Sequence, residues 1–125
     1  TSLRALAVCC LPLLPMSVSA QELDVPIMEY ADADLDTCSF GEVSGLKKDG
    51  DGFLAVRSGP GSKFTKLDEL KNNDEIWLYD QKGNWYGVVY GTPYTECGPI
   101  SADRKVKTDG KKGWIHKNWV TLIAG

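Results

Sequence analysis

Apolar and polar residues alternate in short runs along most of this chain, and nowhere do they recur at a sustained helical spacing. Runs rich in β-branched and aromatic residues are separated by clusters of Gly, Asn and Asp. That pattern predicts strands near residues 39–46, 53–57, 65–70, 75–80, 85–90, 113–116 and 120–123. Seven short strands with turn signals between them make a small all-β barrel or sandwich.

The best-defined unit is the hairpin EIWLYDQKGNWYGVVY. Ile76 and Leu78 share one face of the first strand, Trp77 and Tyr79 the other. In the return strand Tyr86, Val88 and Tyr90 alternate with Trp85, Gly87 and Val89. A three-residue loop of Lys82, Gly83 and Asn84 sets Leu78 opposite Val88 and Ile76 opposite Tyr90. It also sets Trp77 opposite Val89 and Tyr79 opposite Gly87. A loop of two or four residues puts Leu78 against Gly87 and breaks the apolar face, so that requirement defines the register. Asn84 then takes the left-handed conformation that the third loop position demands. The inward face is Ile76, Leu78, Tyr86, Val88 and Tyr90. Trp77, Tyr79 and Trp85 point outward.

The length of 125 residues suits one domain. Residues 1–20 stand apart from it. They carry Arg4, an apolar run from Ala5 to Met16, and Val18-Ser19-Ala20 at the end. This is the form of a secretory signal peptide cleaved after Ala20, with an apolar run too short to span a bilayer. Residues 21–37 hold six acids and no Lys or Arg, and read as a flexible, solvated leader. An acidic arm that docks on a basic partner is the alternative. From Cys38 onward thirteen Lys and Arg face eleven Asp and Glu, so no basic groove for nucleic acid is present.

Cleavage leaves two cysteines, Cys38 and Cys97, in an exported domain, where such a pair oxidises. A disulfide of that span contributes about 4 kcal/mol in the chain-entropy model, which matters in so small a domain. A nucleophilic cysteine needs a histidine, and His116 is the single one in the chain. Cys97 sits in a polar excursion, residues 91–112, too long for a structureless loop unless something holds it.

Two Asp-Gly pairs in KKDGDGFLAV raise the question of a calcium loop. Aligned on Gly52, Lys47 occupies the first ligand position and Ser58 the twelfth, where Glu is needed. The stretch therefore reads as a hairpin turn between Leu46 and Phe53. No metal or cofactor is indicated. His116 reads as a turn residue, and the carboxylate pairs Asp68-Glu69 and Asp74-Glu75 as solvated turn flanks. The chain is expected not to be an enzyme.

The segment LAVRSGPGSKFTKLDEL resembles the signature of the bacterial Src-homology-3-type domain, SH3b. NWYGVVY is similar to that family's Trp-Tyr-x-Val strand, and GKKGWIHKNWVTLI to its closing Gly-Trp-Val strand, turn and terminal strand. The resemblance spans residues 38–123 and departs from the family at the insertion of residues 91–112. It implies an SH3-like β-barrel of five to seven strands with one disulfide. The physics agrees. Ser58-Gly59-Pro60-Gly61 can be neither helix nor central strand, so the chain turns directly after Val56-Arg57.

The resemblance also implies a non-catalytic module of the cell envelope, periplasmic or secreted, that recognises peptidoglycan or a protein partner. An inhibitor or immunity-type protein, probing an enzyme with its disulfide-held insertion, is the alternative. The candidate ligand residues are Trp77, Tyr79, Trp85, Tyr90, Tyr94, Trp114, Trp119 and Arg57. Aromatic faces stack on sugars and extended peptides at low entropic cost. Two readings stay open for them: a binding patch, or packing beneath the leader and the excursion. Arg57 likewise either braces its loop or contacts ligand. A monomer with no membrane span and no nucleic-acid partner completes the expectation.

Overall fold

A computed structural model describes residues 25–32, 35–47 and 52–125. The signal peptide expected at 1–20, residues 21–24, 33 and 34 of the leader, and residues 48–51 of the turn expected between Leu46 and Phe53 lie outside the described residues. The strands in chain order are β1 (Met28–Glu29), β2 (Ser39–Val43), β3 (Leu54–Arg57), β4 (Lys66–Leu70), β5 (Glu75–Lys82), β6 (Trp85–Tyr90), β7 (Arg104–Lys105), β8 (Lys111–His116) and β9 (Val120–Ala124). A single 3₁₀ turn, Lys117–Trp119, joins the last two.

Seven strands form one antiparallel sheet in the order β4-β3-β8-β6-β5-β2-β9, and β1 pairs with β7 in a second. The large sheet curls on itself. Val43 of β2, Leu70 of β4, Ile76 of β5, Val88 of β6 and Ile115 of β8 meet in one buried cluster. Strands from both ends of the sheet thus converge on a common interior, which is the geometry of a small barrel. The fold is all-β, as the strand pattern predicts, and SH3-like, as the resemblance implies.

The central hairpin keeps the expected register by a different route. Ile76 lies opposite Tyr90, Trp77 opposite Val89 and Leu78 opposite Val88. Lys82 pairs with Trp85, however, so the turn holds only Gly83 and Asn84. Gly83 has φ 58° and Asn84 is not left-handed, the pattern of a turn with Gly in its first central position. The residue removed from the turn returns as a bulge between Leu78 and Asp80, which leaves Asp80, not Tyr79, paired with Gly87. The apolar face demands the register, and a bulge satisfies that demand as well as a longer loop does.

The described part of the acidic leader is not solvated. Val25 and Ile27 are buried at 4% and 0% exposure. Alternation explains it: Val25, Ile27 and Glu29 face inward while Pro26 and Met28 are less covered. This strap lies across the outer face of β5, β6 and β8. A Cβ on Gly87 would stand 3.2 Å from the Ile27 Cγ2 and 3.2 Å from the Trp114 ring, so the glycine is what lets the strap come so close. Asp80, 2% exposed, accepts from the Met28 amide at 3.2 Å and the Tyr30 hydroxyl at 3.0 Å. Arg104 of β7 holds Glu29 of β1 in an ion pair, and the Val106 amide donates to the Ile27 carbonyl at 2.8 Å. The described part of the arm thus packs on the barrel and on the excursion of its own chain, through apolar contact and the Glu29–Arg104 ion pair.

Candidate binding surface

The sheet has an outer face set by parity: Trp77 on β5, Trp85, Gly87 and Val89 on β6, Lys112, Trp114 and His116 on β8, and Arg57 on β3, which pairs with Trp114. One half of this face is covered. Val25, Ile27, Tyr79, Val89, Val106, Trp114 and Cys38 form a second buried cluster, with Trp77, Trp85 and Cys97 packed at its margin.

Cys38 and Cys97 are joined in a disulfide, with their Cα atoms 5.0 Å apart. The bond ties the excursion to the start of β2, and the Thr37 amide adds a hydrogen bond of 2.7 Å to the Cys97 carbonyl. The expectation of an outward, solvent-facing Tyr79 is therefore corrected. Its ring is 5% exposed, and its hydroxyl contacts the Thr95 hydroxyl at 2.7 Å and donates to the Glu96 carbonyl. The bulge turns it toward the excursion, and the excursion closes over it. Burial, together with the nearby Glu29 and Glu96 carboxylates, raises the Tyr79 hydroxyl above its ordinary value of 10.0, although the Thr95 hydrogen bond opposes the shift.

Two further candidates are buried. Trp114, 1% exposed, is the centre of the covered half. Tyr90, 5% exposed, belongs to the barrel interior, and its hydroxyl donates to Asp68 at 3.0 Å. Burial first, and then the Asp68 carboxylate, raise the Tyr90 hydroxyl well above its ordinary value. Burial pushes the Asp68 carboxyl upward, but the Glu69 amide, the Tyr90 hydroxyl and the Lys111 ammonium outweigh it and hold the group below 3.8. Tyr90 lies in the barrel interior and Trp114 in the covered cluster, so neither joins Tyr94 and Trp119 at the surface. Tyr94 is 72% exposed on the excursion, and Trp119 lies against Gly45 at the far edge of the sheet.

The other half of the outer face is open. Trp85 and His116 are half-buried neighbours across β6 and β8, edge to face with ring centres 5.4 Å apart. His116 Nδ1 accepts from the Asn118 amide, which fixes the ring at the start of the 3₁₀ turn. Lys82 extends from the hairpin tip to within 5.9 Å of the Trp114 ring centre. On β3, Arg57 donates to the Phe64 carbonyl at 3.0 Å and so braces the RSGPG loop. Phe64 sits on the glycines of that loop, where a Cβ at Gly59 would run into its ring, and it remains 46% exposed.

By strand parity Arg57, Lys82, Trp85 and His116 lie on the outer face, and Phe64 sits on the loop that Arg57 braces. Two cations and flat rings offer hydrogen-bond donors and stacking surfaces to a neutral or weakly acidic polymer. The sequence marks Arg57 and Trp85 among these. It misses Phe64, in a loop, and Lys82, at the last position of β5 beside the turn. His116 reads as a turn residue but ends β8, where it caps the 3₁₀ turn, and its ring lies on the outer face. Trp77, tilted against Phe40 with ring centres 5.5 Å apart, belongs to the margin of the covered half.

The family model of the bacterial SH3 domain matches residues 52–121 of this chain. The match runs from the approach to β3 into β9, through every residue of the open surface, and leaves the strap and β2 outside it. No curated protein and no solved structure matches the chain. With its signature loop, its central hairpin and its closing strands matched over more than half its length, the chain belongs to the bacterial SH3 domain family.

Proposed function

We propose that this chain is an exported, non-catalytic SH3b module of the cell envelope that recognises peptidoglycan or a protein partner. The observation that carries the reading is the open aromatic and basic end of the outer face, on residues within the family match. Bacterial SH3 domains are in general binding modules of cell wall or protein partners. The Cys38–Cys97 disulfide suits an oxidising compartment, as does the signal-like segment at 1–20. Among the described residues no helix is long and apolar enough to cross a membrane.

The test is to incubate the protein, freed of residues 1–20, with purified insoluble cell wall, and to assay pellet and supernatant. Co-sedimentation that falls with Trp85→Ala or Arg57→Gln supports wall recognition at the open end. Full recovery in the supernatant excludes direct wall binding and leaves the protein-partner form of the proposal.

One observation favours a second reading, an inhibitor that probes an enzyme with its insertion. Tyr94 is 72% exposed on an excursion cross-linked to the barrel. Capture of a periplasmic partner that survives Tyr94→Ala but not Trp85→Ala would exclude it.

A further inference from the structure

We propose that the cleft between the strap and the excursion is a second binding site, for an amino-acid head group with an ammonium and a carboxylate on one carbon. The cleft encloses about 410 Å³ and is lined by Glu29, Tyr79, Glu96, Arg104, Lys105 and Lys107. That volume lies within the range of small-ligand sites, which begins at about 300 Å³.

Its lining carries charges of both signs, and Glu29 and Arg104 hold each other in place. Glu29 is buried at 5% exposure and is already held by Arg104 Nε. The rest of the Arg104 guanidinium stays accessible, with 58% of its side chain exposed. Lys105 and Lys107 also line the cleft, and among the described residues neither forms an ion pair. Glu96 is the other carboxylate, exposed and likewise without an ion pair among the described residues.

A simple anion would meet the three cations but would also face Glu96. A simple cation would face all three cations. A zwitterion satisfies both ends: its carboxylate on Arg104, Lys105 and Lys107, its ammonium on Glu96. The walls are held in place before any ligand arrives. The Tyr79 hydroxyl donates to the Glu96 carbonyl, and the neighbouring Cys97 is cross-linked to Cys38. Arg104 is fixed by Glu29, and β7 is paired with β1. Such preorganisation lowers the entropic cost of binding.

Such a head group occurs on free amino acids and at the end of longer molecules. Titration of isotope-labelled protein, followed by amide chemical shifts, separates the sources by using alanine and Nε-acetyl-lysine as probes. Alaninamide and N-acetylalanine serve as controls that each lack one charge. Saturable shifts at Glu96 and Arg104 to Lys107 are expected with at least one probe, and the tighter probe identifies the source. Both controls, and both Lys107→Gln and Glu96→Gln, weaken binding about tenfold. These two side chains are exposed and are not needed for the fold. No saturable shift with either probe at tens of millimolar, equal binding of a blocked control, or indifference to both substitutions overturns the proposal. Wall sedimentation reads the open surface and is independent of this result.

Discussion

The barrel interior and the covered half of its outer face are both dry and both rich in large side chains, yet they are assembled differently. The interior is made by strands whose ladders run the length of the sheet, with Ile76, Val88 and Ile115 drawn together by neighbours in one hydrogen-bonded network. The outer cluster is closed by pieces that barely pair. β1 and β7 are two residues each, and a disulfide, one ion pair and the Asp80 carboxylate hold them down. Apolar contact supplies the energy in both, but in the outer cluster few backbone bonds secure it. A region of that kind opens at lower free energy than the core beneath it.

The largest expected effect that sharpens this contrast comes from the disulfide. Cys38→Ser with Cys97→Ser removes a cross-link spanning 59 residues, worth about 4 kcal/mol in the chain-entropy model. Hydrogen exchange of the double variant should show the strap and the excursion opening first, with β5 and β6 amides still protected. Equal loss of protection in both regions would erase the distinction.

Next come two matched truncations. Ile27→Ala and Ile76→Ala each remove a fully buried side chain, at a cost of roughly 3 kcal/mol. Ile76→Ala should lower the global melting temperature and the denaturant midpoint. Ile27→Ala should show its larger effect in local exchange and protease sensitivity of the strap. If the two unfold alike, strap and barrel are one cooperative unit.

A smaller effect is expected from Gly87→Ala, which puts a methyl 3.0 Å from the Asp80 Cβ and 3.2 Å from the Ile27 Cγ2. Overpacking of this kind costs about 1–3 kcal/mol. It should displace the strap without disturbing Val88 or Tyr90, as chemical shifts would show. A barrel-wide shift would be the contrary result.

The smallest effect concerns the interior's own polar contact. Tyr90→Phe removes one hydrogen bond to Asp68, worth about 1 kcal/mol. The Asp68 carboxyl titrates below its ordinary value in the fold, so its contribution to stability is complete above 3.8 and is lost as pH falls through the lower folded value. Tyr90→Phe should weaken that acid-side loss, read as a shallower decline in melting temperature below about pH 4. An unchanged acid profile would mean that Lys111 and the Glu69 amide alone hold the charge.

Much of the fold is legible from local pattern. Strict alternation in EIWLYDQKGNWYGVVY defines both faces and the pairing of Ile76 with Tyr90, and RSGPG marks the end of β3. The turn is the exception, because a two-residue turn plus a bulge and a three-residue turn satisfy the same apolar register. The candidate site is legible only in part. Arg57 and Trp85 are visible from motif and parity, whereas Phe64 and Lys82 acquire meaning from a loop and a turn tip placed beside them in space. Val25 and Ile27 alternate as a strand should, but the acids around them mask the signal.

The sequence by itself determines which residues face into the barrel, since side chains alternate at a period of two and only one register keeps Ile76, Leu78, Val88 and Tyr90 together. It also marks Cys38 and Cys97 as the cysteine pair outside residues 1–20. Only the tertiary structure decides which outward aromatics meet water. Parity places Trp77, Tyr79 and Trp85 on one face, but whether that face is covered depends on segments 17 residues or more away in the chain. Ile27 settles on Gly87, and Glu96 comes to Tyr79. Those contacts are non-local, and no local period encodes them.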